Sequence, residues 1–308
     1  MAATQTVLHV EAGEGFVVTP FIDSVCQRGV AYLETGYPVH LSGPAGTGKT
    51  TLALHLASLL GRPVMLIHGD EEFGSSDLLG GEKGLVSRRV VDNYIRSVLK
   101  TEETVKSQWV DHRLTIACRQ GYTLVYDEFS RSHAEANNAL LPILEERLLA
   151  LPTSGNGTSY LRVHPEFRAI FTSNPDEYAG VYTPQSALLD RMVTIKLGYY
   201  DRDTEIAITR AKADLPQHEA GQLVDLVRAA RQEINSNTLS VRACIMLGRI
   251  LQHRQARVDL HDPAFVDTCV DVLSPNFSST ERLRQVIETV LGLPTTPGWG
   301  GNNGHTKH

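Results

Sequence analysis

No apolar run in this sequence approaches the roughly 18 residues that a membrane-crossing helix needs. A membrane-spanning role is not expected. The opening stretch, MAATQTVLHVEAGEGF, lacks a basic segment followed by an apolar one, so no secretory signal is read there. Cysteine is scarce: there are four, Cys26, Cys118, Cys244 and Cys269, and no two form a C-x-x-C pair. That argues against a disulfide scaffold and suits free thiols in a reducing cytoplasm. The twelve histidines are scattered without metal-ligand spacing. An excess of positive charge is missing too. The net charge of −6 argues against a general nucleic-acid binder, although a local basic groove stays open.

What is present is the composition of a folded globular chain, 42% hydrophobic and 21% charged, with ample length to bury a core. At 308 residues, one large α/β domain followed by a smaller one is the expectation. The apolar strand-like YPVHLSG runs into GPAGTGKT, which matches the P-loop pattern G-x-x-x-x-G-K-[ST] in full. Glycines let such a loop turn its N–H groups around an anion, and the helix that follows adds its dipole. Gly43, Pro44, Ala45, Gly46, Thr47, Gly48, Lys49, Thr50 and Thr51 are therefore the expected nucleotide-binding residues. Lys49 is expected at the β- and γ-phosphates of ATP, and Thr50 on Mg²⁺.

Further strands are expected over 62–69, 122–128, 167–174 and 191–197, with helices over 19–36, 102–119 and 133–147. Their alternation predicts a doubly wound, mostly parallel, five-stranded sheet. Residues 1–15 read as a loose arm, 70–89 as an exposed glycine-rich excursion, and 148–163 as a hairpin. From about 201 the pattern becomes purely helical to 292, the last helix signed by a Ser278–Glu281 capping box. The end, 293–308, is Gly/Pro/Asn-rich and reads as a tail.

The strand TLVYDE ends in two acids. Asp127 is placed to hold Mg²⁺ through water, and Glu128 to orient and deprotonate the attacking water. Asn174 ends the strand FTSN, where its amide could touch the γ-phosphate; a turn-initiating Asn-Pro pair is the competing reading. Arg191 sits between a helix and a strand, and Arg242 early in a helix, against the dipole preference. An ordinary surface ion pair competes for either arginine.

In this order the elements resemble those of the AAA+ ATPases. The resemblance implies sensor 1 at Asn174, an arginine finger at Arg191, sensor 2 at Arg242 and a helical lid. SDLLG and LLDRM, with the inserts at 70–89 and 148–163, are similar to the MoxR-type branch, where such inserts face the pore of a ring. Phe73, Leu78 and Leu79 are then expected to supply apolar grip on a client polypeptide. The strings VVDNYIRSVLKTEE, WVDHRLTIACRQGYTLVYDEFSRS and HPEFRAIFTSNPDEYAGVY narrow the resemblance to the GvpN gas-vesicle ATPases, over about 16–210. That implies a cytoplasmic ring, expected as a hexamer, that remodels or chaperones gas vesicle structural or assembly proteins. Two alternatives stay open: a ring that activates a metalloenzyme, as CbbQ and NorQ relatives do, or a nucleotide-dependent structural component with little turnover.

Overall fold

The computed structural model describes residues 7–8, 15–71, 74–91, 101–153, 157–175, 186–234 and 238–292. The chain divides at Tyr199–Tyr200 into two compact units.

The first unit opens with β1 (Val7–Leu8), α1 (Pro20–Glu34), β2 (Val39–Ser42), α2 (Lys49–Leu59) and β3 (Val64–His68). Then come α3 (Ser75–Leu79), β4 (Gly80–Val91), β5 (Thr101–Asp111), α4 (Arg113–Gln120) and β6 (Thr123–Asp127). It closes with α5 (Ala134–Asn138), α6 (Leu140–Glu145), β7 (Leu148–Thr153), β8 (Gly157–Arg162), β9 (Arg168–Ser173), α7 (Ser186–Leu189) and β10 (Val193–Lys196).

The main sheet has the order β1-β3-β6-β9-β2-β10. The five strands read from the sequence are parallel, and β1 adds a sixth, antiparallel to β3. Every residue of β6 and all but the first of β9 are buried. Successive side chains point to opposite faces, so both faces of these strands are covered, which is why they read as continuous apolar runs. In α1, Thr19 caps Ile22, Pro20 begins the first turn, and Ile22, Val25 and Leu33 face inward.

Several expectations change. The arm 1–15 is not wholly loose, because Val7–Leu8 pairs with Met65 and Val64. The helix expected over 102–119 is instead strand β5 followed by α4. β5 pairs antiparallel with β4 from Gly80↔Asp111 to Val91↔Thr101, so the excursion is a long hairpin that extends well past 89. Its Thr, Val and Trp residues suit a strand, and the cross-strand ladder outweighs the local helical pattern. The helix expected over 133–147 is broken into α5 and α6. Pro142 has no N–H for the Asn138 carbonyl, so a continuous helix would lose that bond.

Leu78 and Leu79 are not an exposed grip. They are 0% and 8% exposed and join the first unit's core with Leu114 and Phe129. Phe73 and the hairpin tip 154–156 lie outside the described residues, as does the tail 293–308. On α2, Leu52 and Leu56 are buried and Leu59 is exposed.

The second unit is helical: α8 (Arg202–Ala213), α9 (Gln217–Ile234), α10 (Val241–Arg254), α11 (Pro263–Leu273) and α12 (Thr280–Leu291). Leu223, Val227, Leu247, Phe265 and Leu283 form its core. Glu205 is 1% exposed and compensated by Arg228 and Arg231, each at 2.9 Å, which is what a buried carboxylate requires. The cap of α12 is Ser279, whose hydroxyl accepts from the Arg282 N–H, and not Ser278.

Candidate nucleotide site

The parallel order places the carboxyl ends of β2, β9 and β6 side by side, the edge where open α/β sheets bind ligands. The loop after β2 leads into α2 through Gly48, which has φ 74° and no side chain to cap the helix. The first amides of α2 therefore have no side-chain cap from Gly48, as an anion-binding turn requires. Gly43 is needed for another reason. A Cβ there would lie 2.1 Å from the Leu197 carbonyl oxygen, so only glycine lets the loop pass the end of β10. The Lys49 ammonium is buried and donates to the carbonyls of Gly43 (2.8 Å) and Pro44 (2.7 Å). Thr47 donates to the Pro44 carbonyl as well, at 2.9 Å. Thr51 points outward, exposed.

Thr50 and Asp127, 77 residues apart in the chain, meet here: the Thr50 hydroxyl donates to Asp127 Oδ1 at 2.7 Å. A hydroxyl and a buried carboxylate in contact form the hard-oxygen pair that Mg²⁺ favours. Among the described residues no group of three or more His, Cys, Asp or Glu could hold a metal. A cation at this pair would take its other ligands from phosphate and water.

Glu128 follows at the end of β6 in the left-handed region, φ 52° and ψ 41°. Its side chain is 44% exposed and pairs with Arg131 at 2.9 Å. Asn174, 6% exposed, follows β9 directly, and the Gly43 N–H donates to the carbonyl of its neighbour Ser173 at 3.3 Å. The P-loop, Asp127, Glu128 and Asn174 thus share one edge of the sheet.

Arg191 does not. It precedes β10, whose Val193↔Val39 to Lys196↔Ser42 register with β2 puts Arg191 at the amino-terminal edge. Four residues of strand, about 13 Å, separate that edge from the P-loop of the same chain. Its guanidinium binds Glu145 of α6 and the Ala187 carbonyl. Arg242 belongs to the helical unit, exposed in the first turn of α10, where the Ser240 hydroxyl caps its N–H at 3.3 Å.

Residues not singled out in the sequence also converge. His68 Nδ1 lies 3.4 Å from Asp127 Oδ2. Thr172, fully buried in β9, donates to Asp127 Oδ1. A hydroxyl that follows the apolar run Ala169–Phe171, two residues before Asn174, was the available signal for it. His40, 4% exposed in β2, lies between the Ser173 hydroxyl (2.8 Å) and the Thr194 hydroxyl (3.1 Å).

Burial pushes the His40 pKa from 6.5 down to about 4. Between those values the unfolded chain binds a proton that the folded chain refuses, so stability is present above pH 6.5 and is lost as pH falls towards 4. The expected loss is about 3 kcal/mol. Urea midpoints at pH 7 and pH 4.5 measure it, and His40→Gln should flatten part of the dependence. Equal pH dependence in both proteins would show that His40 is not its source.

The AAA domain (dynein-related subfamily) matches residues 38–192, from β2 through Arg191. The gas vesicle ATPase GvpN of Ancylobacter aquaticus is 48% identical over 284 residues, covering 92% of this chain and 80% of that protein. That of Haloferax mediterranei is 43% identical, covering 91% and 81%. The protein NorQ of Paracoccus denitrificans is 28% identical, covering 72% and 77%. Among solved structures, the Thermotoga maritima RuvB branch migration motor aligns with a TM-score of 0.52 at 16% identity, covering 91% and 79%. That likeness concerns the fold alone. With its P-loop, paired acids and a match across most of each relative's length, the chain belongs to the GvpN family of gas vesicle ATPases, ATP hydrolases built on the AAA domain.

Proposed function

We propose that this chain is a Mg²⁺-dependent ATPase that works as a homo-oligomeric ring, a hexamer, and remodels or chaperones a protein component during gas vesicle assembly and growth. The observation that carries the chemistry is the contact of Thr50 with Asp127, with Glu128 the next residue along. In this reading the ring acts in the cytoplasm, associated with the vesicle. The 28% identity to NorQ supports a second reading, a ring that activates a metalloenzyme. The two share a motor and differ in client.

The P-loop amides and the α2 N-terminus cradle the phosphates. Lys49 faces the β- and γ-phosphates as a compact positive charge. Thr50 and, through water, Asp127 would hold the cation, which when bound would supply positive charge beside the phosphates. Glu128 aligns the attacking water and takes its proton, and Asn174 steadies that water or the γ-phosphate. Arg191 serves the neighbouring subunit's nucleotide.

Lys49→Ala should abolish ATP binding in calorimetry, because the countercharge to the phosphates is lost. Vesicle-forming cells that carry this variant in place of the wild type should make few or abnormal vesicles. Tight ATP binding by the variant would sink the P-loop reading. Normal vesicles alongside lost binding would instead favour the NorQ-like client or a role independent of turnover.

A further inference from the structure

We propose that Thr172 is a positioning residue for hydrolysis, one hydroxyl that sets both the cation-facing acid and the base. The proposal rests on the reading of Asp127 and Glu128 given above. The Thr172 side chain is completely buried. Its hydroxyl donates to Asp127 Oδ1 at 2.6 Å and accepts the Glu128 backbone N–H at 2.9 Å. A hydroxyl has one proton to give, and here it goes to the acid while a lone pair takes the amide.

Two hydroxyls converge on Asp127 Oδ1, those of Thr50 and Thr172, and their situations differ. Thr50 is only half-buried at the start of α2, so its lone pairs can face a cation while its proton stays on Asp127. Thr172 has no such freedom, since it is fully enclosed and its acceptor side is taken by Glu128. Thr50 therefore ligates, and Thr172 orients.

The second bond matters for Glu128. A non-glycine residue at φ 52° is in a sparsely populated conformation and persists only where the surroundings over-determine it. Three hydrogen bonds do so. Thr172 takes the Glu128 N–H, the Glu128 carbonyl accepts the Arg131 N–H at 2.9 Å, and the Gly69 N–H donates to the Asp127 carbonyl at 2.7 Å. Gly69 itself is confined: a Cβ there would lie 2.1 Å from the Glu128 carbonyl oxygen. Of these, the Thr172 bond is the one a side-chain substitution can remove. Without it the turn can relax and the Glu128 carboxylate leave its line to the water.

Thr172→Val keeps the shape and removes the hydroxyl; Thr172→Ser keeps the hydroxyl. The valine variant should bind ATP in EDTA with near wild-type affinity. Its kcat, and its affinity for Mn²⁺ in the presence of ATP read by electron paramagnetic resonance, should each fall about 10- to 100-fold. Thr172→Ser should recover most of both. A valine variant with wild-type kcat and Mn²⁺ affinity would overturn the proposal, and so would a serine variant as impaired as valine, since shape rather than the hydroxyl would then matter. Should the valine variant not fold by circular dichroism, Thr172→Ala against Thr172→Ser gives the same comparison. Glu128→Gln measured alongside separates the two levels. If it turns over normally, the assignment of the base fails. If it is inactive while Thr172→Val is normal, only the role of Thr172 fails.

Discussion

Subunits carrying Arg191→Ala are expected to bind ATP like the wild type and to hydrolyse it about 10³-fold more slowly or worse, about 4 kcal/mol of transition-state stabilisation. The reason lies in the sheet. Arg191 stands at the amino-terminal end of β10, while the P-loop follows the carboxyl-terminal end of the adjacent β2. A side chain at that edge is poorly placed for its own nucleotide, which is why a neighbour's is the proposed target. Ion-paired with Glu145, the Arg191 side chain is 29% exposed. Mixing Arg191→Ala with Lys49→Ala subunits tests the arrangement. Neither variant should be active alone, yet an interface that joins the intact P-loop of the first to the intact arginine of the second should hydrolyse ATP. No recovery under proven subunit exchange would mean that the arginine acts within its own chain or not at all.

Glu128→Gln is expected to retain ATP and to lose about 10²-fold or more in turnover, the usual contribution of a positioned general base. Glutamine has the same shape and leaves the backbone bond to Thr172 intact, so the loss reports the basicity of the carboxylate. Before it can act, Glu128 has to leave Arg131, and with 44% of its side chain exposed it has room to rotate. Single-turnover hydrolysis with stoichiometric ATP isolates the chemical step. A rate within a few-fold of wild type would remove Glu128 from the role and return attention to His68, beside Asp127.

That the P-loop, the acids at the end of β6 and Asn174 close their strands was legible because each depends on short-range chemistry. Glycines at fixed offsets, a lysine beside a hydroxyl and acids closing an apolar strand have meaning within a few residues. The parallel strands were legible too, since burial on both faces leaves a continuous apolar run. Less legible were elements set by distant partners. The stretch 101–111 became a strand because 80–91 lies opposite it. Leu78 and Leu79, in a glycine-rich stretch, looked exposed, but α3 packs on α4 and α5 and buries them.

By itself, then, the sequence determined the ATPase chemistry, the α/β class followed by a helical unit, and the family. Tertiary structure alone decided that Arg191 stands a strand's length from its own P-loop, that two insert leucines belong to the core, and that one buried threonine bonds the Asp127 carboxylate and the Glu128 backbone. The physical reason is range. A phosphate loop is specified by the backbone freedom of consecutive residues, whereas burial, sheet edge and a shared hydrogen bond depend on which strands, far apart in the chain, come to lie side by side.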